Sequence, residues 1–346
     1  MVSSTRQRIL LIGIGQENNI GRFFREALEA GGCEHAFVDE WRHLSPEGRS
    51  LAQRALNKVF RRPRGYDRFN AELLATFDEF RPDIVLVTKG PFVSVEALRQ
   101  MKSGSRCVLV NYATDDPYNP ANQTPDLING IPYYDLYVCP RRAMIRDIEE
   151  TGCARTAYLP FGYHPRLHFA EPAVTSEERR RFECDVVFIG NADRDRAPFF
   201  RKLLDIPDLS LHLHGAGWKS DALLARFDQG FIYDRDFRLA LSCAKVAVCL
   251  VRRANRDDNV MRTFETPACG AFMLAERTAG HLALFREGID IGCFGSPTEF
   301  AARVAYYLAN PRERAEIARS GTERTVSGNN TYADRLAEIL RLANAL

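Results

Sequence analysis

The chain has 346 residues, 45% of them hydrophobic and 27% charged, which allows two globular domains and excludes a disordered protein. The formal net charge is +2, so the whole-chain charge gives no support to nucleic-acid binding, and we expect none. The sequence has no apolar run near the length of about 20 residues that a membrane-spanning helix needs.

Nine cysteines are scattered singly along the chain, and no two have the C-x-x-C spacing of a metal or redox site. Most lie in or beside apolar runs, as small core residues do. The N-terminal residues lead directly into a predicted strand, without the apolar segment of a signal peptide. We therefore expect a protein of the reducing cytoplasm and leave peripheral membrane contact open.

Buried strands alternate with amphipathic helices over the first 160 residues. Continuous apolar runs predict parallel strands at 9–15, 36–38, 84–88, 107–111 and 136–139. Helical spacing of apolar residues predicts helices at 19–30, 51–60, 71–80, 95–101 and 141–151, with a basic loop at 61–65. This alternation is typical of an α/β domain with a parallel sheet.

Residues 161–182 are rich in proline and charge and lack a clear period, so we interpret them as a junction. The α/β pattern then resumes. Strands are predicted at 185–190, 209–214, 246–251 and 271–275, and helices at 197–204, 236–243, 297–309, 312–321 and 331–346. The predicted organisation is an N-terminal Rossmann-like domain (1–160), the junction (161–182), a second Rossmann-like domain (183–330) and a last helix (331–346).

One polar stretch, Asn255–Gly270, stands apart from this pattern. Acidic and basic side chains crowd around a short predicted helix that lies between two apolar strands. Asp257 and Glu265 are eight positions apart, and small residues ending in Gly270 let a ligand approach the backbone. Because ligands of open α/β sheets bind outside the carboxyl ends of the strands, this stretch is a candidate site.

The run Arg262–Leu274, RTFETPACGAFML, resembles the donor-site signature of the CgeB-like glycosyltransferases, in which R-x-F-E-x-x-A-C-G-x-F is usual. Three further segments agree with that family in chain order: the strand 185–190 with the arginines after it, the junction segment 159–169 and the loop 111–117. The resemblance covers most of the chain. It implies the α/β GT-B architecture, in which two Rossmann-like parallel-sheet domains face a cleft and a C-terminal helix returns to the N-terminal domain.

The resemblance further implies that the second domain holds a nucleotide-sugar donor. Glu265 would accept hydrogen bonds from the ribose, although a surface pair with Arg262 is the alternative. Asp257, with Asp258 as a competitor, would lie near the sugar as a catalytic acid. Arginine forks suit the leaving diphosphate. The candidates are Arg196, Arg262 and Arg252, with Arg253 as an alternative to the last.

Glycines at the predicted strand ends would let the backbone approach the nucleotide. They are Gly190, Gly215 and Gly217, and Gly270, at the end of the short predicted helix, is a fourth candidate. Trp218 directly follows Gly217, so it is a candidate to stack on the base, and core packing is the alternative.

The predicted N-terminal domain carries the other half of the candidate site. Gly13 and Gly15 form a loop that lets the diphosphate or the acceptor come close. A later polar loop carries Asp115 and Asp116, where a carboxylate either acts as a general base on the acceptor hydroxyl or orients the sugar. An Asx turn closed by the following proline is the alternative. Lys89, at another strand end, is expected to line the same region.

The adjacent acids do not form a D-x-D metal motif, and His212 and His214 supply only half of a metal site, so we expect no metal. The leading hypothesis is a metal-independent glycosyltransferase that uses a nucleotide-diphosphate sugar as co-substrate and no further cofactor. The acceptor stays open among a glycan, a lipid-linked compound, a protein and a small molecule. A GT-B sugar-nucleotide epimerase and a non-catalytic sugar- or nucleotide-binding protein are the alternatives.

Overall fold

The computed structural model describes residues 7–45 and 62–346. The predicted helix 51–60 and the start of the predicted basic loop lie outside the described residues. The chain divides into two compact units. Unit 1 contains the residues up to Pro160, the tripeptide Ala254–Arg256 and the segment Tyr332–Leu346, and unit 2 contains Phe161–Arg253 and Asp257–Thr331.

Unit 1 is built on a six-stranded parallel sheet with the order β2-β1-β3-β4-β5-β6. The strands are β1 (Arg8–Gly13), β2 (Glu34–Asp39), β3 (Ile84–Thr88), β4 (Val108–Tyr112), β5 (Leu136–Cys139) and β6 (Thr156–Tyr158). Its first helices are α1 (Ile20–Ala30), α2 (Glu40–Leu44), α3 (Tyr66–Phe80), α4 (Val95–Lys102), α5 (Pro125–Gly130) and α6 (Ile145–Thr151). The central strands are apolar throughout because helices cover both faces of such a sheet.

The register of unit 1 fixes which residues share the carboxyl edge of its sheet. Ile12 of β1 pairs with Val38 on one side and with Val87 on the other. Thr88 of β3 pairs with Tyr112 of β4. The residues that follow these positions therefore emerge side by side at one edge, where ligands of open α/β sheets bind.

Unit 2 repeats the architecture with the strand order β12-β11-β10-β7-β8-β9, again all parallel. The strands are β7 (Cys184–Ile189), β8 (Leu211–His214), β9 (Asp228–Gly230), β10 (Ala244–Cys249), β11 (Met273–Glu276) and β12 (Gly292–Phe294). The helices are α7 (Ser176–Phe182), α8 (Ala197–Lys202), α9 (Asp234–Cys243), α10 (Arg262–Ala268), α11 (Ala279–Leu284), α12 (Pro297–Ala309) and α13 (Pro311–Ser327).

A last helix, α14 (Tyr332–Ala343), belongs to unit 1 although it follows unit 2 in the chain. Its buried residues Tyr332, Leu336 and Ile339 recur at helical spacing and form one apolar face. The Tyr332 ring lies 5.0 Å from that of Phe23 in α1. The predicted return of the C-terminal helix to the N-terminal domain is therefore confirmed.

The predicted α/β class with two parallel sheets is also confirmed, but several short elements were not predicted. β6, β9 and β12 have three residues each, which is too short to show a period. Within the predicted junction, α7 forms a regular helix, because Thr175 and Glu178 build a capping box at its start. Within residues 7–45 and 62–346, no helix combines the length and apolar character needed to cross a membrane.

Candidate functional site

A glycine frame joins the carboxyl ends of β7 and β8 in unit 2. The Gly190 N–H donates to the His214 carbonyl at 2.8 Å. Gly215 has a φ of +127°, and a Cβ at this position would lie 2.6 Å from the Gly190 carbonyl oxygen. Gly217 also has a positive φ, at +90°. These predicted glycines are therefore required by backbone conformation and close approach.

Trp218 is a core residue, and the prediction that it stacks on a nucleotide base is wrong. Its side chain is fully buried and packs edge-on against Phe188 and Phe200. A base needs an open ring face, and this indole has none. Its Nε1–H instead donates to the Gly190 carbonyl at 2.9 Å, and this hydrogen bond stabilises the glycine frame.

An exposed aromatic pair that the sequence analysis missed follows β9 at the same edge. Phe231 and Tyr233 are 63% and 54% exposed, unusually high values for large rings. Their planes are 4° from parallel, with centroids 6.3 Å apart. The Gly215 N–H donates to the Gly230 carbonyl at 2.9 Å, so the pair begins directly beside the glycine frame. The alternation Phe-Ile-Tyr after a glycine was the signal that could have revealed it.

Arg196, a predicted diphosphate ligand, follows β7, and its side chain reaches the end of β10. Its guanidinium donates to the Asn191 carbonyl at 3.0 Å and to the Leu250 carbonyl at 3.3 Å. Burial lowers the pKa of this arginine. Arg252, also predicted, follows β10 and is exposed. Both cations thus occupy the carboxyl edge of the unit 2 sheet.

Glu265 is buried in α10, with 1% of its surface exposed. It forms an ion pair with Arg262, whose Nε also donates to the Ile189 carbonyl at 3.2 Å. His168 Nε2 lies 3.6 Å from Glu265 Oε1. The pair with Arg262 is therefore present, and in it the carboxylate is buried while the Arg262 side chain is 31% exposed.

His168 is a further residue of this group that was not predicted to belong to the site. Its Nδ1 accepts the His164 N–H at 3.0 Å, which leaves Nε2 as the protonated nitrogen facing Glu265. Burial lowers the pKa of His168 to about 4, so the ring is neutral at neutral pH.

Asp257 closes a turn after β10. Its N–H donates to the Arg252 carbonyl at 3.2 Å, and its carboxylate accepts the Arg252 N–H at 3.3 Å. The backbone of Asp258 is also fixed, because Thr278 Oγ1 donates to its carbonyl at 2.6 Å. The stretch ends at Gly270, whose φ is +80°. The start of the predicted loop is thus fixed beside Arg252, whereas Gly270 precedes β11 and so lies towards the amino edge of the sheet, next to Ala170 and away from the predicted nucleotide site.

In unit 1, the predicted glycine loop follows β1. A Cβ on Gly13 would lie 2.1 Å from Thr88 Oγ1, so no side chain fits there. The Gly15 N–H donates to the Asp39 carboxylate at 3.1 Å. The loop therefore packs against the ends of both neighbouring strands.

Lys89 and Asp115 form an ion pair at the same edge, with 2.6 Å between Lys89 Nζ and Asp115 Oδ2. Asn255, from the tripeptide that belongs to unit 1, donates to Asp115 Oδ1 at 2.8 Å. The Asn255 Oδ1 accepts the side-chain amides of Asn119 and Asn122, which orients its own amide group. Burial tends to raise the pKa of Asp115, but Lys89 and Asn255 together lower it.

Asp116 has a different role from its neighbour. It is 2% exposed, and both of its oxygens receive the Arg256 guanidinium, at 2.6 and 3.1 Å. It also accepts the Tyr118 N–H at 2.9 Å, which forms the predicted Asx turn. Asp116 was predicted as a residue that faces the diphosphate or the acceptor. Its carboxylate is instead taken up by Arg256 and the Tyr118 N–H, so it stabilises the loop.

Arg141 also supports this loop and was missed as a functional residue. It is 2% exposed and donates to the carbonyls of Ala113 and Thr114, at 3.2 and 2.9 Å. Its position directly after β5 was the available signal, since that place lies at the carboxyl edge.

The remaining histidines and cysteines form no further centre. The His212 and His214 rings are 6.4 Å apart on β8. Across the described residues, no group of three or more His, Cys, Asp or Glu side chains is arranged to hold a metal ion. All nine cysteines are free, and all except Cys33 are buried.

Comparisons with known proteins agree with the fold described above. A family model described as "Glycosyl transferase-like" matches residues 194–341. Among solved structures, sucrose-phosphate synthase from Thermosynechococcus elongatus aligns at 14% identity and a TM-score of 0.72, over 98% of this chain and 100% of that chain. Anabaena HepE in complex with UDP and glucose aligns at 14% identity and a TM-score of 0.68, over 98% and 100%.

A UDP-forming α,α-trehalose-phosphate synthase from Burkholderia xenovorans also aligns, at 14% identity and a TM-score of 0.65, over 98% of this chain and 99% of that chain. Among curated proteins, none matches the sequence. The chain therefore has the GT-B fold of glycosyltransferases. Its second half matches the glycosyl transferase-like family model, while the narrower resemblance to CgeB-like proteins stays a prediction.

Proposed function

We propose that the protein is a glycosyltransferase that takes a sugar from a nucleoside-diphosphate sugar and passes it to an acceptor hydroxyl. The observation that carries this proposal is the edge of the unit 2 sheet, where Arg196 and Arg252 lie at strand ends and Arg262 pairs with the buried Glu265. An edge with this charge suits a ligand with two phosphates and a ribose. The UDP and glucose bound by the structural neighbour HepE support the same class of donor.

Arg196, Arg252 and Arg262 are proposed to neutralise the diphosphate as it leaves. Negative charge grows on the leaving group during the transfer, and fixed cations that meet it lower the barrier. Guanidinium forks can bond two phosphate oxygens at once, so this set can carry out the neutralisation without a metal ion. The reaction proposed here therefore needs no cofactor beyond the sugar nucleotide.

Glu265 is proposed to hold the ribose, and the exposed rings are proposed to hold the base. A carboxylate fixed by Arg262 keeps lone pairs for ribose hydroxyls, and the neutral His168 adds no charge that would compete. Phe231 and Tyr233 replace Trp218 as the stacking candidates, because both present open faces next to the glycine frame.

Asp257 is proposed to lie near the transferred sugar, and Asp115 to act on the acceptor. Because the pKa of Asp115 is lowered, its carboxylate is ionised at neutral pH and accepts hydrogen bonds well. A low pKa makes it a weak general base. This favours the orienting role for Asp115 over proton abstraction.

Nine unpaired cysteines support the proposal that the enzyme works in the reducing cytoplasm.

A thermal-shift screen with UDP-, GDP-, dTDP- and CMP-sugars tests the donor. We expect one nucleotide class to raise the Tm, because a ligand that binds only the folded state stabilises it by mass action. The stabilising donor is then incubated alone and with an acceptor panel. Transfer only with an acceptor supports the proposal, and a new sugar nucleotide formed from the donor alone would identify an epimerase. Stabilisation by none of the donors would contradict the proposal.

A further inference from the structure

The helix α10 carries Arg262 and Glu265, but it is too short to fix the directions of these side chains by itself. It has seven residues, and one of them is Pro267. Within the described part of the chain, its N-cap residue Met261 makes no side-chain cap hydrogen bond. Isolated helices of this length are not stable in water, so the orientation of α10 depends on its contacts with the rest of unit 2.

A chain of hydrogen bonds through the Thr263 hydroxyl holds the start of α10. Thr263 Oγ1 accepts the Val260 N–H at 3.0 Å and lies 2.9 Å from Nε2 of His281 in α11. Both Thr263 and His281 are fully buried. The other ring nitrogen, His281 Nδ1, lies 2.7 Å from the carbonyl oxygen of Glu276, the last residue of β11. The chain therefore connects the start of α10 to the end of β11.

The direction of these hydrogen bonds follows from their chemistry. A carbonyl oxygen only accepts, so His281 Nδ1 carries the proton. Burial lowers the pKa of His281, so the ring is neutral at neutral pH and Nε2 is an acceptor. The Thr263 hydroxyl therefore donates to Nε2. The Cys249 thiol also lies 3.8 Å from Nε2, but a thiol is a weaker donor and this contact is longer.

The first turn of α11 also holds the loop that precedes α10. Thr278 Oγ1 accepts the His281 N–H at 3.0 Å and donates to the Asp258 carbonyl at 2.6 Å. A Cβ on Gly280 would lie 2.4 Å from the same carbonyl oxygen, so only glycine lets the turn come this close. The turn thus contacts residue 258 through Thr278 and Gly280, and it contacts Thr263 through His281.

Packing of aromatic rings adds to the hydrogen bonds. The Phe264 ring of α10 lies 6.1 Å from the ring of Phe285, the residue that follows α11. Both rings are buried. The buried side of α10 therefore rests on α11 and its neighbours, while the Arg262 side chain is 31% exposed.

We propose that His281 is a positioning residue of the donor site. Through Thr263 it fixes the start of α10, and hence the directions of Arg262 and Glu265. This inference rests on the proposed function, which assigns those two side chains to the diphosphate and the ribose. Because His281 is fully buried, it acts through Thr263 and not by contact with the donor. Such support matters because a misplacement of about 1 Å in an active site can cost about 100-fold in rate.

The test replaces His281 by two amides that each keep one of its hydrogen bonds. The amide of His281→Gln reaches the position of Nε2 and can accept the Thr263 hydroxyl. The amide of His281→Asn reaches only the position of Nδ1 and can donate to the Glu276 carbonyl. Both variants lose the buried ring, so both should lower the Tm without ligand.

Nucleotide affinity should separate the two variants. Calorimetry on the full chain uses UDP, GDP, dTDP or CMP, whichever matches the donor that raises the Tm of the wild type. We expect His281→Gln to bind the nucleotide within about twofold of the wild type and His281→Asn to bind it about tenfold more weakly, because only the second loses the hydrogen bond to Thr263.

Substitutions of Thr263 make the same comparison from the other side of the hydrogen bond. Thr263→Ser keeps the hydroxyl and should largely keep the nucleotide affinity. Thr263→Val keeps the shape but can neither accept the Val260 N–H nor donate to His281, so it should weaken binding by about tenfold.

Thr325→Val is the matched control for Thr263→Val. Thr325 is an equally buried threonine of unit 2, and its hydroxyl donates to the Gly321 carbonyl at 2.8 Å within α13. The control loses a buried hydrogen bond of the same kind, so it should lower the Tm but leave the nucleotide affinity unchanged.

Two results would overturn the inference. The first is a nucleotide affinity of His281→Asn that equals or exceeds that of His281→Gln, and the second is an equal loss of affinity in Thr263→Val and Thr325→Val. In either case His281 would contribute to stability alone, and the proposed function would stand. A wild-type chain whose Tm is raised by none of the nucleotide sugars would instead overturn the proposed function and, with it, the inference.

Discussion

At the residue scale, Glu265 shows how a short signature can locate a side chain without describing its surroundings. The signature that begins at Arg262 predicts that Glu265 and Arg262 can pair, because residues three positions apart lie on the same face of a helix. The third member, His168, precedes Glu265 by almost a hundred positions and belongs to a segment without a period. No local pattern could bring the two together.

We expect Glu265→Gln to weaken UDP binding by about 10- to 100-fold. The amide keeps the size of the side chain but loses the charge that strengthens hydrogen bonds from the ribose. Calorimetry with UDP measures the change. Asp290→Asn is the control, since Asp290 is an equally buried carboxylate of unit 2 that pairs with Arg286. Unchanged UDP affinity in Glu265→Gln, or an equal loss in the control, would contradict the assignment.

Adjacent acids show the limit of sequence reasoning at this scale. Asp115 and Asp116 are alike in sequence, and their partners separate them. Asp115 interacts with Asn255 and Lys89 and stays at the edge of the sheet. Asp116 forms an ion pair with Arg256 instead. These partners come from distant positions, so the difference depends on tertiary contacts alone. Gly13, by contrast, was predictable, because a glycine after a buried strand marks close approach.

At the element scale, long apolar strands were predicted closely and short ones were missed. The strands Ile84–Thr88 and Leu136–Cys139 have the predicted bounds, since buried parallel strands are continuous apolar runs with clear ends. β9 has three residues and lies at the edge of its sheet, so it carries little apolar signal. Missing β9 meant missing the aromatic pair that follows it.

We expect Phe231→Ala and Tyr233→Ala each to weaken UDP binding by about 5- to 100-fold, because stacking is worth about 1–3 kcal/mol per base. Calorimetry measures the affinity, and the Tm without ligand should hardly change, since both rings are exposed. Tyr306→Ala is the control, because Tyr306 is a 45% exposed ring on α12, away from the strand ends. If the three variants bound UDP equally, the base would have another site.

At the scale of the whole molecule, the sequence predicted two α/β units but not the full path of the chain through them. Each unit has its own apolar core. The amphipathic pattern of the last helix predicted that one of its faces is buried. The GT-B resemblance predicted that this face packs against the N-terminal domain. The tripeptide Ala254–Arg256 lies in unit 1, although the residues on both sides belong to unit 2. Three polar or small residues carry no pattern that could show this.

Because the apolar cores are separate, we expect a substitution that destabilises one unit to leave the stability of the other unit unchanged. Tyr332→Ala removes a fully packed ring from α14 and should destabilise unit 1 by about 3–5 kcal/mol. Hydrogen exchange should then become faster in β1, β3 and β4 and stay unchanged in β7 and β10. Phe300→Ala, at a fully buried ring of the unit 2 core, should give the opposite pattern. Equal loss of protection in both sheets with either variant would mean that the chain unfolds as one cooperative body, and α14 would then stabilise the whole protein and not unit 1 alone.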